Sequence, residues 1–275
     1  MLFTKPTANQ AFTITSTPTW PSIIFTTDAT GPHTWQWSIK WNTFTKTGTA
    51  STSANEWDAG PAISDLGGTL TVRAIAGTKQ ATINVVVKGT NPSELEVKTF
   101  LLTKPNSAGF DKIIGHEAKF KHFNNLNQPI KSFDNGYGMC QLTTPAPTFA
   151  QIWNWKLNVE GGLSLFAQKR AAATAFLSQS ARPYTADQHT KETVCRWNGG
   201  SYHEWSAATS AWIRKANILC DSATGNIGWD MSDAQNAGKT EATLRARDKG
   251  SYSSPPGSSA HWGYFGVCYA DKVLA

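Results

Sequence analysis

The sequence predicts two domains, an all-β sandwich over residues 1–89 and a mainly α domain over residues 90–275. Three observations support this prediction. The chain has 275 residues, which exceeds the usual size of one domain. Residues before the Gly89-Thr90-Asn91-Pro92 break are rich in Thr, Ser and Trp and contain short β-branched runs. After that break, helical periods dominate.

Alternation of apolar and polar residues predicts the strands of the first domain. Residues 34–41 alternate strictly, and residues 69–76 and 80–88 supply two further strands. The apolar face of the first of these strands consists of Trp35, Trp37, Ile39 and Trp41. In its strand rhythm this domain resembles the immunoglobulin-like or PKD-like modules of bacterial and phage surface proteins. A sandwich core accounts for the tryptophan face, and a sugar-stacking platform is the alternative.

Helix signals begin at Ser93. The segment Ser93-Glu94-Leu95-Glu96 has the S-x-x-E form of a capping box, which predicts a helix start. Residues 158–179 place one apolar stripe at helical spacing, consisting of Val159, Leu163, Phe166, Ala173 and Leu177. The second domain is therefore expected to be mainly α.

A carboxylate interrupts the apolar stripe of another predicted helix. Glu117 follows Phe110, Ile113 and Ile114 at i+7, a position that the pattern reserves for the core. Burial disfavours the ionised form of a carboxyl group, so a glutamic acid in such a place can keep its proton and donate it. Such a position meets the requirement of a general acid. A structurally minor glutamate paired with Lys121 is the alternative.

Three later segments follow this helix in a recognisable order. They are GYGMCQL at residues 136–142, NVEGGLSL at residues 158–165 and RWNGG at residues 196–200. Together with a helix that closes on Glu117, this ordered set resembles the lysozyme-like superfamily, especially the soluble lytic transglycosylases and goose-type lysozymes. The resemblance covers roughly residues 94 to 200.

The resemblance implies a lysozyme-like second domain that cleaves the β-1,4 bond between N-acetylmuramic acid and N-acetylglucosamine in peptidoglycan. It implies that Glu117 is the general acid. In the family, the glycine-containing turn lines the cleft beside the acid, and a tyrosine segment ends many transglycosylase domains. The substrate-binding residues carried over in this way are Tyr137, Gly138, Gln141, Asn198 and Tyr269. Core packing is the alternative for Tyr269, a surface position is the alternative for Gln141, and a helix C-cap is the alternative for the glycines after Asn198.

The mechanism stays open between hydrolysis and transglycosylation. Asp134, just before Gly136, is the candidate second carboxylate that would hold the attacking water in a goose-type lysozyme. A cap of the turn is the alternative explanation for Asp134. Lytic transglycosylases need no second carboxylate, but Ala118 stands where they usually have Ser after the catalytic Glu.

Charge and composition bound the partners. A formal net charge of +6 and a pI near 9.1 favour an anionic polymer such as the bacterial cell wall. Nucleic acid is disfavoured because the basic residues are scattered, with one short cluster at residues 245–249. The first domain is expected to deliver or dock the enzyme, with an inhibitor or immunity protein or a virion or secretion component as candidate partners. A non-catalytic wall-binding or structural component is the alternative function.

The sequence also predicts where the protein acts. No secretory signal and no apolar run of membrane length are visible, so membrane insertion is not expected. A wall substrate then implies export by a phage particle or an injector to the cell wall or periplasm. The cysteines lack C-x-x-C spacing, which argues against zinc, and no metal or cofactor is predicted. Disulfides and buried thiols both fit Cys140, Cys195, Cys220 and Cys268.

Overall fold

The computed structural model describes residues 1–253 and 255–275. The strands are β1 (Phe3–Lys5), β2 (Ala11–Ile14), β3 (Ile24–Thr27), β4 (His33–Trp41), β5 (Phe44–Thr52), β6 (Glu56–Asp58), β7 (Gly68–Ala76), β8 (Lys79–Gly89), β9 (His203–Ser206), β10 (Ala211–Arg214), β11 (Ile218–Cys220), β12 (Ile227–Asp230) and β13 (Gly263–Tyr264). The α-helices are α1 (Gly60–Ile63), α2 (Glu94–Leu102), α3 (Phe110–Ala118), α4 (Phe149–Trp153), α5 (Trp155–Leu177), α6 (Ala186–Asn198), α7 (Glu241–Asp248) and α8 (Gly266–Val273).

The chain folds into two compact units, each built from two separate stretches of sequence. The first unit contains Met1–Pro105 and Glu117–Gly162, and the second contains Asn106–His116 and Leu163–Ala275. This division differs from the predicted boundary between residues 89 and 90. The difference arises because side chains of residues 117–162 enter the core of the first unit.

Two sheets form the β part of the first unit. One is five-stranded in the order β2-β8-β7-β4-β5, and the other is three-stranded in the order β1-β3-β6. The strand predictions for residues 34–41, 69–76 and 80–88 are confirmed by β4, β7 and β8. Trp35, Trp37 and Ile39 are buried, so the alternating face of β4 belongs to the core rather than to an exposed platform.

The same core receives side chains from much later in the chain. Phe123, Tyr137, Ile152 and Trp153 are buried in one cluster with the side chains of the sheets. The indole of Trp153 packs edge-on against Trp41 at 5.9 Å between ring centroids. The strands therefore do not complete their core without the segment that carries the glycine-containing turn.

The predicted fold class, an N-terminal immunoglobulin-like all-β sandwich followed by a mainly α lysozyme-like domain, is wrong. The structure is a mixed fold, 31% helical and 27% strand, and both units contain helices and strands. In the second unit, β9 and β10 form a hairpin and β11, β12 and β13 form a small sheet. Each of these strands has only two to four residues, and such short runs carry little periodic signal in the sequence.

Local helix signals were more reliable than the global assignment. The capping box at Ser93 is confirmed, since Ser93 Oγ accepts from the backbone N–H of Glu96 and the Glu96 carboxylate accepts from the backbone N–H of Ser93. The predicted helix at residues 158–179 corresponds to α5, which begins at Trp155 and ends at Leu177. Of its predicted core positions, Val159, Phe166, Ala173 and Leu177 are buried and Leu163 is half-buried.

A disulfide and a close helix contact organise the second unit. Cys220 and Cys268 are bonded and tie β11 to α8, whereas Cys140 and Cys195 are buried free thiols. Helix α8 packs against α6 so closely that a Cβ on Gly266 would lie 2.0 Å from the carbonyl oxygen of Gly199. None of the helices in the described part of the chain combines the length and apolar character needed to cross a lipid bilayer.

Candidate functional site

Glu117 is the penultimate residue of α3 and is half-buried. The three apolar residues before it on the stripe, Phe110, Ile113 and Ile114, are fully buried as predicted. Helix α3 ends directly after Ala118 because the next two residues adopt left-handed backbone conformations, with φ of 50° at Lys119 and 58° at Phe120. Consecutive non-glycine residues in this region are strained, and such strain concentrates at functional sites.

Residues 136–142 form a tight turn, here called the glycine turn. Tyr137 and Leu142 exchange two backbone hydrogen bonds of 3.1 Å across it. Gln141 has a left-handed backbone with φ of 49°, and its side-chain Nε2 donates to the carbonyl oxygen of Gly138 at 2.7 Å. The amide of Gln141 is thereby held in one orientation at a half-buried position.

Two buried polar side chains hold the backbone of the glycine turn. Asn158 Oδ1 accepts from the N–H of Cys140 at 3.0 Å, and Asn158 Nδ2 donates to the carbonyl oxygen of Tyr137 at 3.1 Å. His122 Nδ1 accepts from the N–H of Met139 at 3.3 Å, and Nε2 donates to the carbonyl oxygen of Ile152 at 2.8 Å. Burial lowers the pKa of His122 to about 4, so the ring is neutral at pH 7.

Sequence reasoning missed these two supporting side chains. In the sequence, Asn158 stands out only as the first residue of the NVEGGLSL segment. The signal that could have identified it is its helical position next to Val159, which is buried. His122 carried no signal, since a single histidine beside a phenylalanine has no diagnostic spacing. Their role depends on contacts across 17 and 18 residues of chain, which periodicity cannot detect.

Gly138 is required by the protein's own packing. Its φ is +70°, and a Cβ there would lie 2.5 Å from Cε1 of His122 and 2.7 Å from Nδ2 of Asn158. The absence of a side chain lets both polar groups reach the backbone of the turn. Packing by itself therefore accounts for a glycine at this position. Substrate binding by Gly138, which the family resemblance implies, stays a prediction.

Glu117 and the glycine turn are electrostatically coupled. Burial raises the pKa of the Cys140 thiol above its ordinary value, and the negative charge of Glu117 raises it further. The carboxylate of Glu117 is therefore within electrostatic reach of the residue that precedes Gln141. Both groups belong to the first unit.

The other two predicted residues of the first unit have structural contacts of their own. The ring of Tyr137 is buried and packs edge-on against Trp41 and Phe44, at 6.1 and 5.6 Å between centroids. Asp134 is exposed, and its carboxylate accepts a hydrogen bond from the hydroxyl of Ser132, which also accepts from the N–H of Gly136. These contacts fit the turn-cap interpretation of Asp134.

Asn198 and Tyr269 belong to the second unit. Asn198 is the exposed last residue of α6 and is followed by the Gly199-Gly200 turn. Tyr269 is buried in α8, and its ring packs edge-on against the ring of His116 at 5.2 Å between centroids. His116 and Tyr269 both belong to the second unit.

The site therefore offers one half-buried carboxyl group, one oriented amide and one exposed second carboxylate. No cluster of His, Cys, Asp and Glu side chains suited to a metal ion occurs in residues 1–253 or 255–275. No family model and no curated protein matches the chain. The functional argument consequently depends on the chemistry and geometry of these residues.

Proposed function

We propose that the protein is a peptidoglycan-cleaving glycosidase that uses Glu117 as its general acid. The observation that carries this proposal is a half-buried carboxyl group at the end of α3, within electrostatic reach of the turn that holds Gln141. The order of the helix, the glycine turn and the Asn198 turn along the chain supports the same function through its resemblance to lytic transglycosylases and goose-type lysozymes.

The chemistry requires a proton donor at the glycosidic oxygen. Glu117 donates its proton to that oxygen while the bond to the N-acetylmuramic acid carbon breaks, and N-acetylglucosamine leaves with a new hydroxyl group. The sugar ring develops positive charge in the transition state, which the resulting carboxylate then stabilises.

Gln141 is suited to hold the sugar beside the acid. Its Nε2 is occupied by the carbonyl oxygen of Gly138, and its Oε1 accepts no hydrogen bond from any residue that the structure describes. A carbonyl oxygen of this kind accepts a hydrogen bond from an N-acetyl N–H or a sugar hydroxyl. The strained backbone of Gln141 supports a role in binding, because strain of this kind persists where function selects it.

Substitution of Glu117 tests the proposal directly. We expect Glu117→Gln to reduce the release of soluble muropeptides from purified sacculi by at least about a hundredfold, since general acid catalysis contributes on that order. Glu94→Gln on α2 is the matched control, because Glu94 is an exposed glutamate that pairs with Lys98, and it should retain activity. Clearance of sacculi by Glu117→Gln at the wild-type rate would remove Glu117 from the mechanism.

Product analysis separates the two reaction types. Mass spectrometry of digested peptidoglycan should reveal 1,6-anhydro ends if the sugar's own 6-hydroxyl attacks, or reducing ends if water attacks.

In the hydrolytic case Asp134→Asn should lower the rate at least about a hundredfold, because the base that activates the water is lost. An unaffected rate would assign Asp134 to the turn alone. A wild-type protein that binds sacculi but releases nothing would establish the non-catalytic alternative.

The disulfide supports action outside a reducing compartment. Cys220 and Cys268 are bonded, and disulfides persist mainly in oxidising environments such as the periplasm or the cell exterior. The net charge of +6 suits the anionic polymers of a bacterial wall. We therefore propose that the protein acts at the cell wall or periplasm.

A further inference from the structure

The second unit contains a groove of about 480 Å³ that the proposed acid chemistry does not use. Buried Ile218, Gly266 and Val267 form an apolar part of its lining. Polar side chains from β9, β12 and the chain after β10 also line the groove, as does the Gly199-Gly200 turn. An apolar surface beside charged groups is typical of sites that bind small polar molecules in one orientation.

Three charged side chains line the groove, and none of them has an ionic partner among residues 1–253 and 255–275. Lys215 donates to the hydroxyl of Ser201 at 2.7 Å, and no carboxylate of the described residues pairs with its ammonium group. Glu204 is exposed and accepts only from the N–H of Ala216 at 3.3 Å among those residues. Asp230 likewise has no cation beside it within the part of the chain that the structure describes.

The carboxylate of Asp230 is held ionised and oriented. Its Oδ1 accepts from the N–H and hydroxyl of Ser232 at 2.9 and 2.7 Å and from Asn217 Nδ2 at 3.1 Å. The hydrogen bonds from Ser232, followed by that from Asn217, lower the pKa of Asp230 below its ordinary value. Its other oxygen, Oδ2, is left to accept from a ligand.

The unpaired state of these groups is unusual for this unit. Most other carboxylates of the second unit pair with a lysine or an arginine, namely Asp187, Glu192, Asp221, Glu241, Asp248 and Asp271. Opposite charges that line one groove without neutralising each other can each pair with the opposite charge of a ligand. The lining therefore selects a molecule that carries both an ammonium group and a carboxylate.

We propose that this groove binds the peptide stem of peptidoglycan, a short alanine-containing peptide with free carboxylates and the ammonium group of a diamino acid. Lys215 binds a stem carboxylate, while Glu204 and Asp230 bind the ammonium group. The alanine methyl groups contact the apolar lining formed by Ile218 and Val267. This inference rests on the proposed wall substrate, but it concerns a different set of residues.

Two further residues fit such an occupant. Tyr264 presents an exposed ring at the groove, and its hydroxyl donates to the carbonyl oxygen of Ser253 at 2.9 Å, which holds the ring in place. Asn198 contributes an exposed amide, which can both donate to and accept from a peptide backbone. In this proposal Asn198 is still a substrate-binding residue, but it binds the peptide rather than the sugar.

Titration calorimetry with a synthetic stem tetrapeptide tests the inference. The probe is L-Ala-γ-D-Glu-meso-diaminopimelyl-D-Ala, and the comparison ligand is the uncharged tetramer of N-acetylglucosamine. We expect the tetrapeptide to bind the wild-type protein, with affinity lowered at least about fivefold in Lys215→Gln and in Glu204→Gln, because each removes a charge-assisted hydrogen bond. Lys249→Gln, an exposed lysine outside the groove, should bind as the wild type does.

Each outcome decides the matter. Absence of saturable tetrapeptide binding by the wild type, or an affinity equal to that of the wild type in both groove variants, would overturn the inference. Glu204 is exposed, so Glu204→Gln keeps the test valid even if Lys215→Gln unfolds, and circular dichroism checks both variants. Glu117→Gln should bind the tetrapeptide normally while failing to release muropeptides, so failure of the cleavage proposal and failure of the groove proposal give different results.

Discussion

The glycine at position 138 illustrates how packing can dictate a single residue. We expect Gly138→Ala to lower the free energy of unfolding by about 2–4 kcal/mol, since the added Cβ would enter the contact radius of His122 and the backbone has a positive φ. Urea unfolding measures this change. Gly250→Ala is the control, because a Cβ there meets nothing within 4 Å, and it should be close to neutral. Equal stability of the two variants would contradict the packing argument.

The buried ring of His122 should make stability depend on pH. The pKa of its ring is about 4 in the folded protein, against an ordinary value of 6.5. Between pH 4 and pH 6.5 the ring is therefore protonated in the unfolded state but not in the folded state. The contribution of His122 to the free energy of unfolding is fully present above pH 6.5. It falls by roughly 3 kcal/mol in all as the pH drops towards 4.

Substitution of His122 isolates that contribution from the other titrating groups. The difference in unfolding free energy between the wild type and His122→Gln should shrink as the pH falls from 7 to 4, because glutamine takes up no proton in that range. Chemical denaturation at each pH provides the measurement. A difference that stays constant over the range would show that His122 titrates equally in both states.

At the scale of elements, the end of α3 positions the carboxyl group on which the proposed function depends. The apolar stripe buries Phe110, Ile113 and Ile114 and brings Glu117 to the last turn of the helix. The strained residues Lys119 and Phe120 then stop the helix, so the carboxyl group stands at an element end rather than within a packed face. An acid that must meet a substrate needs this combination of partial burial and access.

The link between β11 and α8 gives a prediction at the same scale. Reduction of Cys220–Cys268 should destabilise the second unit by roughly 2–5 kcal/mol, because the bond restricts a long loop in the unfolded chain. Thermal unfolding with and without a reducing agent measures the effect. The double variant Cys220→Ser and Cys268→Ser should be insensitive to the reducing agent. Any reducing-agent response of that variant would point to another cause.

At the scale of the whole molecule, charge governs the encounter with the wall. With a formal net charge of +6, retention on purified sacculi should weaken as salt rises from about 0.05 to 1 M, because the screening length then falls to about 3 Å. Co-sedimentation with Glu117→Gln measures binding without cleavage. Uncharged chitin serves as the control and should show little salt response. Retention that ignores salt would exclude a dominant electrostatic contribution.

The fold class was the largest failure of prediction, and its cause is physical. Alternation in residues 34–41 predicted β4 correctly, but alternation says only that one face of a strand is buried and not what covers it. Part of the cover comes from Phe123, Ile152 and Trp153, which are about a hundred residues away in the chain. The short strands β9 to β13 were missed because two to four residues cannot establish a period.

The sequence by itself determined what depends on near neighbours: the capping box at Ser93, the strands β4, β7 and β8, and the stripe that carries Glu117. Periodicity and local hydrogen bonds are decided within a few residues, so they can be read from a single chain. The tertiary structure alone decided that His122 and Asn158 hold the glycine turn, that Tyr137 lies in the core, and that Lys215, Glu204 and Asp230 share a groove. Burial of polar groups and pairing of charges depend on distances in space between residues that are far apart in the chain.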